Sequence, residues 1–231
     1  EDVVAEKFSQ RSLLAERVKD DLLDALAGST LNDLESEALR LVESWDDTTT
    51  RESKGSVIFQ EWFTAYRKGK KTDELFATEW DFDDPIETPD GLSDSTRAVE
   101  AFREAVATVT KKWGKIDVSW GDVHRIRFGD KVDLPIGGAG GDMGSFRVLG
   151  YREDPDGKRR ARTGDSWVFA VDFGKTPKAY SVVAYSQSGR EDSPHFADQA
   201  EIFADNRMKT VAFTEADIAR TLIAKYHPGE E

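Results

Sequence analysis

Cysteine is absent from this chain of 231 residues, which excludes a disulfide framework, a thiolate metal site and a cysteine nucleophile. Histidine occurs only three times, at His124, His195 and His227, and no pair has HExxH or another metal-ligand spacing. The sequence also lacks an apolar run of the roughly 18 residues that a transmembrane helix needs. It therefore predicts no disulfide, no histidine-based metal motif and no membrane span.

Positive charge is scarce as well, because 32 lysines and arginines stand against 45 aspartates and glutamates, for a net charge of -13. Nucleic acids and anionic membrane surfaces attract proteins with an excess of basic side chains, so we expect neither as a partner. The start at Glu1 shows no basic and apolar leader of a signal peptide. A hydrophobic share of 38% is enough for a globular core.

The first half of the chain has the spacing of amphipathic helices, with apolar residues recurring every three or four positions. The pattern predicts helices over residues 4–26, closed by Gly28, and over 34–45, 57–66 and 99–113. Prolines and a glycine make residues 81–93 an irregular connection.

After Gly114 the period changes to that of strands, predicted at 123–128, 145–149, 166–174 and 179–187, with a glycine-rich stretch at 137–144. The last two should pair as an antiparallel hairpin. Two helix starts follow, one with Ser193 as N-cap and His195 in the first turn, the other at Thr214.

The segregation of helices and strands predicts an α+β fold with a helical segment, 1–114, and a strand-rich segment, 115–231. We do not expect these to be independent domains. The apolar strands need neighbours on both edges, so we expect a sheet completed by other chains and a chain that does not fold stably alone.

Candidate catalytic residues are few, and each has a simpler structural interpretation. For all three histidines a hydrogen-bonded or surface role is favoured over catalysis. The segment Gly137–Gly141 invites comparison with a phosphate-binding loop, but no GK[ST] follows, and Met143 stands where GxGxxG requires glycine. A tight loop between strands fits better.

Carboxylate pairs and serines give no stronger signal. Asp83 with Asp84, and Glu191 with Asp192, lie in polar segments and should be solvated. Ser188 is not a nucleophile elbow, since Ser186 and Arg190 replace the glycines of GxSxG. The six tryptophans are interpreted as core residues. From the residues alone, no catalytic constellation emerges.

One stretch does carry a specific resemblance. The segment YSVVAYSQSG at 180–189, followed by SPHFADQ at 193–199, resembles the closing signature of penicillin acylases. WGDVHR at 120–125, LPIGG at 134–138 and the prolines of 84–92 are similar to the same family. The resemblance covers roughly residues 31–223, and LPIGG looks most like the branch that deacylates N-acyl homoserine lactones and lipopeptides.

The resemblance implies an N-terminal nucleophile hydrolase of αββα fold. In that family the precursor cleaves itself, and a Ser becomes the first residue of the large subunit. Its hydroxyl attacks the amide carbonyl while its own α-amino group acts as base. This chain would be the C-terminal part of the large subunit, and it begins with Glu1. The family's nucleophile, oxyanion Asn and calcium ligands lie upstream of the matching region, so we predict no catalytic, cofactor or metal residue in this chain.

The implied partners are the small subunit and the Ser-starting part of the large subunit, in a periplasmic or secreted enzyme. The implied substrates are N-acyl homoserine lactones, with β-lactam acyl amides next. Two alternatives remain open from the residues: a self-sufficient, non-catalytic acidic interaction module, and a separate enzyme that uses His124 or His195 with a nearby carboxylate.

Overall fold

The computed structural model describes residues 2–227 and Gly229. Glu1, on which the expectation about the missing nucleophile partly rests, lies outside the described residues, as does most of the 228–231 tail. The chain forms two compact units, the first ending at Gly164 and the second beginning at Asp165. The change from helix to strand after Gly114 therefore falls inside the first unit.

Five helices make up most of the first unit: α1 (Asp2–Lys7), α2 (Leu13–Ala27), α3 (Asp33–Glu43), α4 (Ser56–Tyr66) and α5 (Ser95–Trp113). Three of the predicted helices are confirmed, as is Gly28 at the end of α2. The single helix predicted over 4–26 is wrong. The chain breaks between Lys7 and Leu13, because the Ser12 hydroxyl accepts a hydrogen bond from Ala15 N and caps a new helix.

The packing of α4 on α5 forms the centre of the core. Trp62 is fully buried and lies 5.0 Å from the Phe59 ring and 5.6 Å from the Tyr66 ring, measured between centroids. Its indole Nε1 donates to the Ala98 carbonyl at 3.0 Å. Small side chains on the facing side of α5 permit this approach, since Ala98, Ala101 and Ala105 are all buried there.

A short hairpin and a four-stranded sheet complete the first unit. The elements are β1 (Phe76–Thr78), β2 (Asp90–Leu92), α6 (Trp120–Val123), β3 (His124–Phe128), β4 (Val132–Pro135), β5 (Leu149–Glu153) and β6 (Arg159–Gly164). The sheet order is β4-β3-β6-β5, with β3 and β6 parallel and the other pairs antiparallel. The irregular connection predicted at 81–93 ends in β2.

The strand predicted at 145–149 is wrong in position, because regular pairing begins only at Leu149. Residues 145–148 instead run alongside the glycine-rich residues 137–144, the glycine loop, where Val148 forms an isolated bridge with Ala139. Arg147 is fully buried there, which no alternating apolar pattern would indicate.

The second unit holds β7 (Trp167–Asp172), β8 (Lys178–Val183), α7 (Ala200–Ala204), β9 (Lys209–Val211) and α8 (Glu215–Thr221). The predicted hairpin is confirmed, with Trp167 opposite Val183 and Asp172 opposite Lys178. The α+β class is confirmed over the described chain. None of its helices is both long enough and apolar enough to cross a bilayer.

The two helix starts predicted in this unit differ in outcome. Thr214 caps α8 in a reciprocal arrangement with Asp217, as predicted. The start at Ser193 is wrong, since residues 191–199 form turns and α7 begins at Ala200. The Ser193 hydroxyl instead accepts a bond from His195 N at 3.1 Å, a local turn that competes with helix formation.

The glycine loop offers a test of backbone constraint. At Gly138 φ is +105°, and an added Cβ would lie 2.8 Å from the Arg147 carbonyl oxygen. At Gly141 an added Cβ would meet nothing within 4 Å. Gly138→Ala should lower the free energy of unfolding by about 2 kcal/mol or more, and Gly141→Ala by less than ~0.5 kcal/mol. Denaturant unfolding of the assembled protein measures both, and equal effects would contradict this geometry.

Candidate functional site

The glycine loop between β4 and β5 is packed against its own chain. An added Cβ at Gly137 would lie 2.4 Å from the Gln10 side chain, and Gly138 N donates to the Thr49 carbonyl at 3.0 Å. The Tyr151 hydroxyl donates to the Gly138 carbonyl at 2.8 Å. Because these backbone groups already have protein partners, the segment is a tight loop between strands, as predicted, and has no free donors at Gly138 for a phosphate.

His124 lies under this loop, at the start of β3. Its ring stacks on Trp120 at 3.6 Å between centroids, and the Tyr151 ring meets it edge-on at 4.5 Å. The imidazole Nδ1 lies 3.1 Å from the Trp120 carbonyl, so Nδ1 carries the proton of the neutral ring. Nε2 has no hydrogen-bond partner among the described residues.

The electrostatics around His124 keep its ring neutral. Burial lowers the pKa of the imidazole well below its ordinary value, and the Arg159 guanidinium lowers it further. Arg159 is itself held by the side chains of Gln60 and Glu61 on α4. Burial also raises the pKa of the Tyr151 phenol. The buried ring is enclosed by aromatic side chains and its Nδ1 bonds a backbone carbonyl, which favours a structural role.

A polar cleft of about 210 Å³ lies beside this cluster. It is lined by Gln60, Thr64, Arg67, Gly140, Asp142, Leu149, Gly150, Tyr151 and Arg159. Arg67 and Asp142 form an ion pair of 3.2 Å at its wall. The cleft is smaller than the ~300 Å³ at which pockets for organic ligands begin. It suits a few waters or a small anion rather than an acyl chain.

Hydrogen bonds join the closing signature to the end of β8 and to the residues that follow it, an arrangement that we call the clasp. The Gln199 side chain is buried, and its Oε1 accepts from Val183 N at 3.1 Å. Its backbone N donates to the Tyr185 carbonyl at 3.0 Å. Ser188 N donates to the His195 carbonyl at 3.3 Å and closes the turn. The specific residues of SPHFADQ therefore fix the chain against the strand that precedes them.

The other candidate residues are exposed or half-buried. The His195 side chain is 68% exposed, and its Nδ1 lies 2.8 Å from Asp198 Oδ2. His227 is exposed, and Ser188 Oγ accepts a hydrogen bond from Arg190 N. Among the described residues neither the His124 ring nor the His195 ring hydrogen-bonds to a hydroxyl. No group of three histidine or carboxylate side chains in that part of the chain could hold a metal.

The carboxylates predicted to be solvated are exposed: Asp83, Asp84, Glu191 and Asp192. The tryptophans differ in how deeply they are buried. Trp45, Trp62 and Trp120 are buried as predicted, whereas Trp80 and Trp167 are 58% and 63% exposed, so the core interpretation is wrong for these two. Sequence reasoning also missed the buried Arg147 and the half-buried Arg159, because nothing in the local pattern marks an arginine as part of the interior.

Comparison with known proteins gives a consistent set of relatives. The penicillin amidase family profile matches residues 1–220. The acyl-homoserine lactone acylase PvdQ of Pseudomonas syringae pv. syringae (strain B728a) is 30% identical over 188 residues, covering 77% of this chain and 23% of that protein. Aculeacin-A acylase of Actinoplanes utahensis is 27% identical over 222 residues, covering 92% and 27%.

The chain thus spans about a quarter of the length of these curated relatives. Among solved structures, thermostable penicillin G acylase from Alcaligenes faecalis aligns with 95% of this chain and 47% of its own, at a TM-score of 0.49 and 16% identity.

The hydrogen bonds of the clasp predict that substitutions at Gln199 and at His195 change stability by different amounts. Gln199→Ala removes a buried side chain, leaves the half-buried Val183 N without its acceptor, and should cost about 1–3 kcal/mol of unfolding free energy. His195→Ala removes only an exposed pair and should cost less than about 1 kcal/mol, with turnover of the assembled enzyme within about tenfold. Chemical denaturation and steady-state kinetics measure both. A thousandfold loss of turnover in His195→Ala with unchanged melting would assign it a catalytic role.

The neutral state of His124 predicts how stability depends on pH. The unfolded imidazole gains a proton below its ordinary pKa of ~6.5, whereas the folded one stays neutral to a much lower pH. Its stabilising contribution is therefore complete above pH ~6.5 and falls as the pH decreases, by at most about 1.4 kcal/mol per pH unit. His124→Gln should flatten the decline of unfolding free energy between pH 7 and pH 5. A curve for His124→Gln that runs parallel to the wild-type curve would refute the assignment.

Proposed function

The chain belongs to the penicillin amidase family, and we propose that it is part of an acylase that hydrolyses the amide bond of N-acyl compounds. The observation that carries the proposal is the family match over nearly the whole chain, together with a closing signature whose Gln199 clasps the end of β8. The activity is that of a larger protein, of which this chain supplies about a quarter by the length of its relatives.

For the substrate we propose N-acyl homoserine lactones first, which would make the enzyme a quorum-quenching hydrolase. The support is that relatives with 30% identity are named acyl-homoserine lactone acylases, and that a further relative is named for the acylated compound aculeacin A. The LPIGG segment favours the same branch. Acyl amides of β-lactams are the next candidates.

The reaction we propose is acyl transfer to a serine at the start of a companion chain. The serine Oγ attacks the amide carbonyl, its proton passes to the α-amino group of the same residue, and the amine leaves with that proton. Water then hydrolyses the ester and releases the acid, restoring the serine. A free α-amine suits this role because its ordinary pKa of about 7.7–8.0 is close to neutral pH.

The residues of this chain would act by packing rather than by proton transfer. His124 is buried and held neutral, and the His195 ring is exposed and paired with Asp198. Both arrangements support the proposal that this chain positions the part of the enzyme that carries the nucleophile. Such support matters because a misplacement of ~1 Å at a nucleophile can cost about a hundredfold in rate.

The proposed partners are the small subunit and the Ser-starting part of the large subunit, and together they would complete the αββα fold in a periplasmic or secreted enzyme. Exposed aromatic side chains on β7 support the need for cover, since Trp167 is 63% and Phe169 47% exposed. The two rings lie 5.3 Å apart and form one apolar patch. The location is proposed on the family resemblance alone.

The complete protein should convert an N-acyl homoserine lactone to free homoserine lactone and a fatty acid, detected by mass spectrometry. The matched control carries Ser→Ala at the first residue of the companion chain and should form neither product. Lactone opening with the amide intact would indicate another enzyme class. Failure to cleave any acyl amide, despite a free N-terminal serine in a companion chain, would overturn the proposal.

A further inference from the structure

The segment of residues 79–90, which is the hairpin loop between β1 and β2 with the first residue of β2, is both acidic and rich in exposed apolar side chains. Residues 79–90 contain six carboxylates and no basic residue. The same loop exposes Trp80 at 58%, Phe82 at 79% and Ile86 at 79%. The Trp80 and Phe82 rings meet edge to face at 6.1 Å, so they form one apolar surface. Clustered exposed aromatics of this kind are typical of binding sites.

The loop is held in a fixed shape by hydrogen bonds to its backbone. The buried Thr88 hydroxyl accepts from Asp81 N at 2.8 Å and donates to the Asp84 carbonyl at 2.6 Å. From α2, the Arg17 guanidinium donates to the Pro89 carbonyl at 2.9 Å and the Ile86 carbonyl at 3.0 Å. An ordered loop presents its apolar side chains at little further entropic cost on binding, which is the advantage of preorganisation.

The carboxylates of the loop have no ion-pair partners in the described residues, although the Arg17 guanidinium donates to the loop's backbone. These six carboxylates are Glu79, Asp81, Asp83, Asp84, Glu87 and Asp90. At the base of the loop, burial raises the pKa of Asp21, and the neighbouring Asp90 carboxylate raises it further. Cations brought to this surface would relieve that repulsion.

We propose that residues 79–90 dock into a companion polypeptide of the enzyme, on an apolar pocket rimmed by lysine or arginine side chains. This rests on the proposed multi-chain assembly. A second copy of this chain would bring the same acidic loop and a net charge of -13, which disfavours self-association. Anionic membranes and nucleic acids are disfavoured by the same charge.

The proposal is tested by placing the photo-crosslinker p-benzoylphenylalanine at position 82 of the assembled enzyme. Phe82 is exposed, so the change should not disturb folding. Irradiation should give a crosslink to a companion chain, mapped by mass spectrometry to a segment with lysine or arginine beside it. The matched control places the same group at Phe146, which is 56% exposed in the same unit and outside the loop, and should not label that segment.

A second variant tests how much the negative charge of the loop contributes to docking. Asp81→Asn, Asp83→Asn and Asp84→Asn together keep the side-chain oxygen of Asp81 that accepts from Asp83 N. This triple variant should lower the crosslink yield at position 82 severalfold at low salt, and should remove most of its decrease between low and high salt. A yield from the parent that is insensitive to both salt and the triple variant would overturn the electrostatic part of the proposal.

Intact masses and acylase activity of the same sample separate the remaining outcomes. An active enzyme with its companion chain present, but with no crosslink from position 82 or one to a second copy, overturns the docking surface alone. A sample without companion chains and without acylase activity overturns the proposed function, and the docking surface with it.

Discussion

The packing of α4 against α5 is the interaction on which the first unit depends. Trp62 reaches the Ala98 carbonyl only because α5 presents small side chains at that point. The opposite face of the same helix carries Gln60 and Glu61, which hold the Arg159 guanidinium beside the His124 ring. One helix therefore fixes both the aromatic core and the buried polar cluster, so a shift of α4 would disturb the two together.

The second unit has no comparable centre in its described residues. Its sheet has three strands, and β7 leaves Trp167 and Phe169 largely uncovered. Sheets of this size need a covered apolar face for independent stability. Val168, Val182 and Phe203 are buried in this unit, and the clasp of Gln199 holds the end of β8. The clasp fixes the path of the chain without burying the exposed aromatics, and we propose that other chains cover them.

Periodicity made the long elements predictable from sequence, and long-range contacts made the rest unpredictable. The 3-4 spacing marked α5, and alternation marked the β7–β8 hairpin. The break before α2 depends on the Ser12 cap and on the bridge of Arg11 with Thr48, a partner distant in sequence. The strand β6 reads RRARTG and shows no apolar alternation, yet it pairs with β3 and β5. The neutral state of His124 likewise depends on Tyr151 and Arg159, which no local pattern connects to it.

The first unit has a core of its own, and we propose that the second depends on companion chains for its stability. The direct measurement is hydrogen exchange combined with thermal unfolding of the 231-residue chain purified alone. We predict aggregation or a broad, weakly cooperative transition, with amides of β7–β9 exchanging far faster than those of α4 and α5. A soluble monomer that melts in one sharp two-state transition, with β7–β9 protected as strongly as α4, would contradict this prediction.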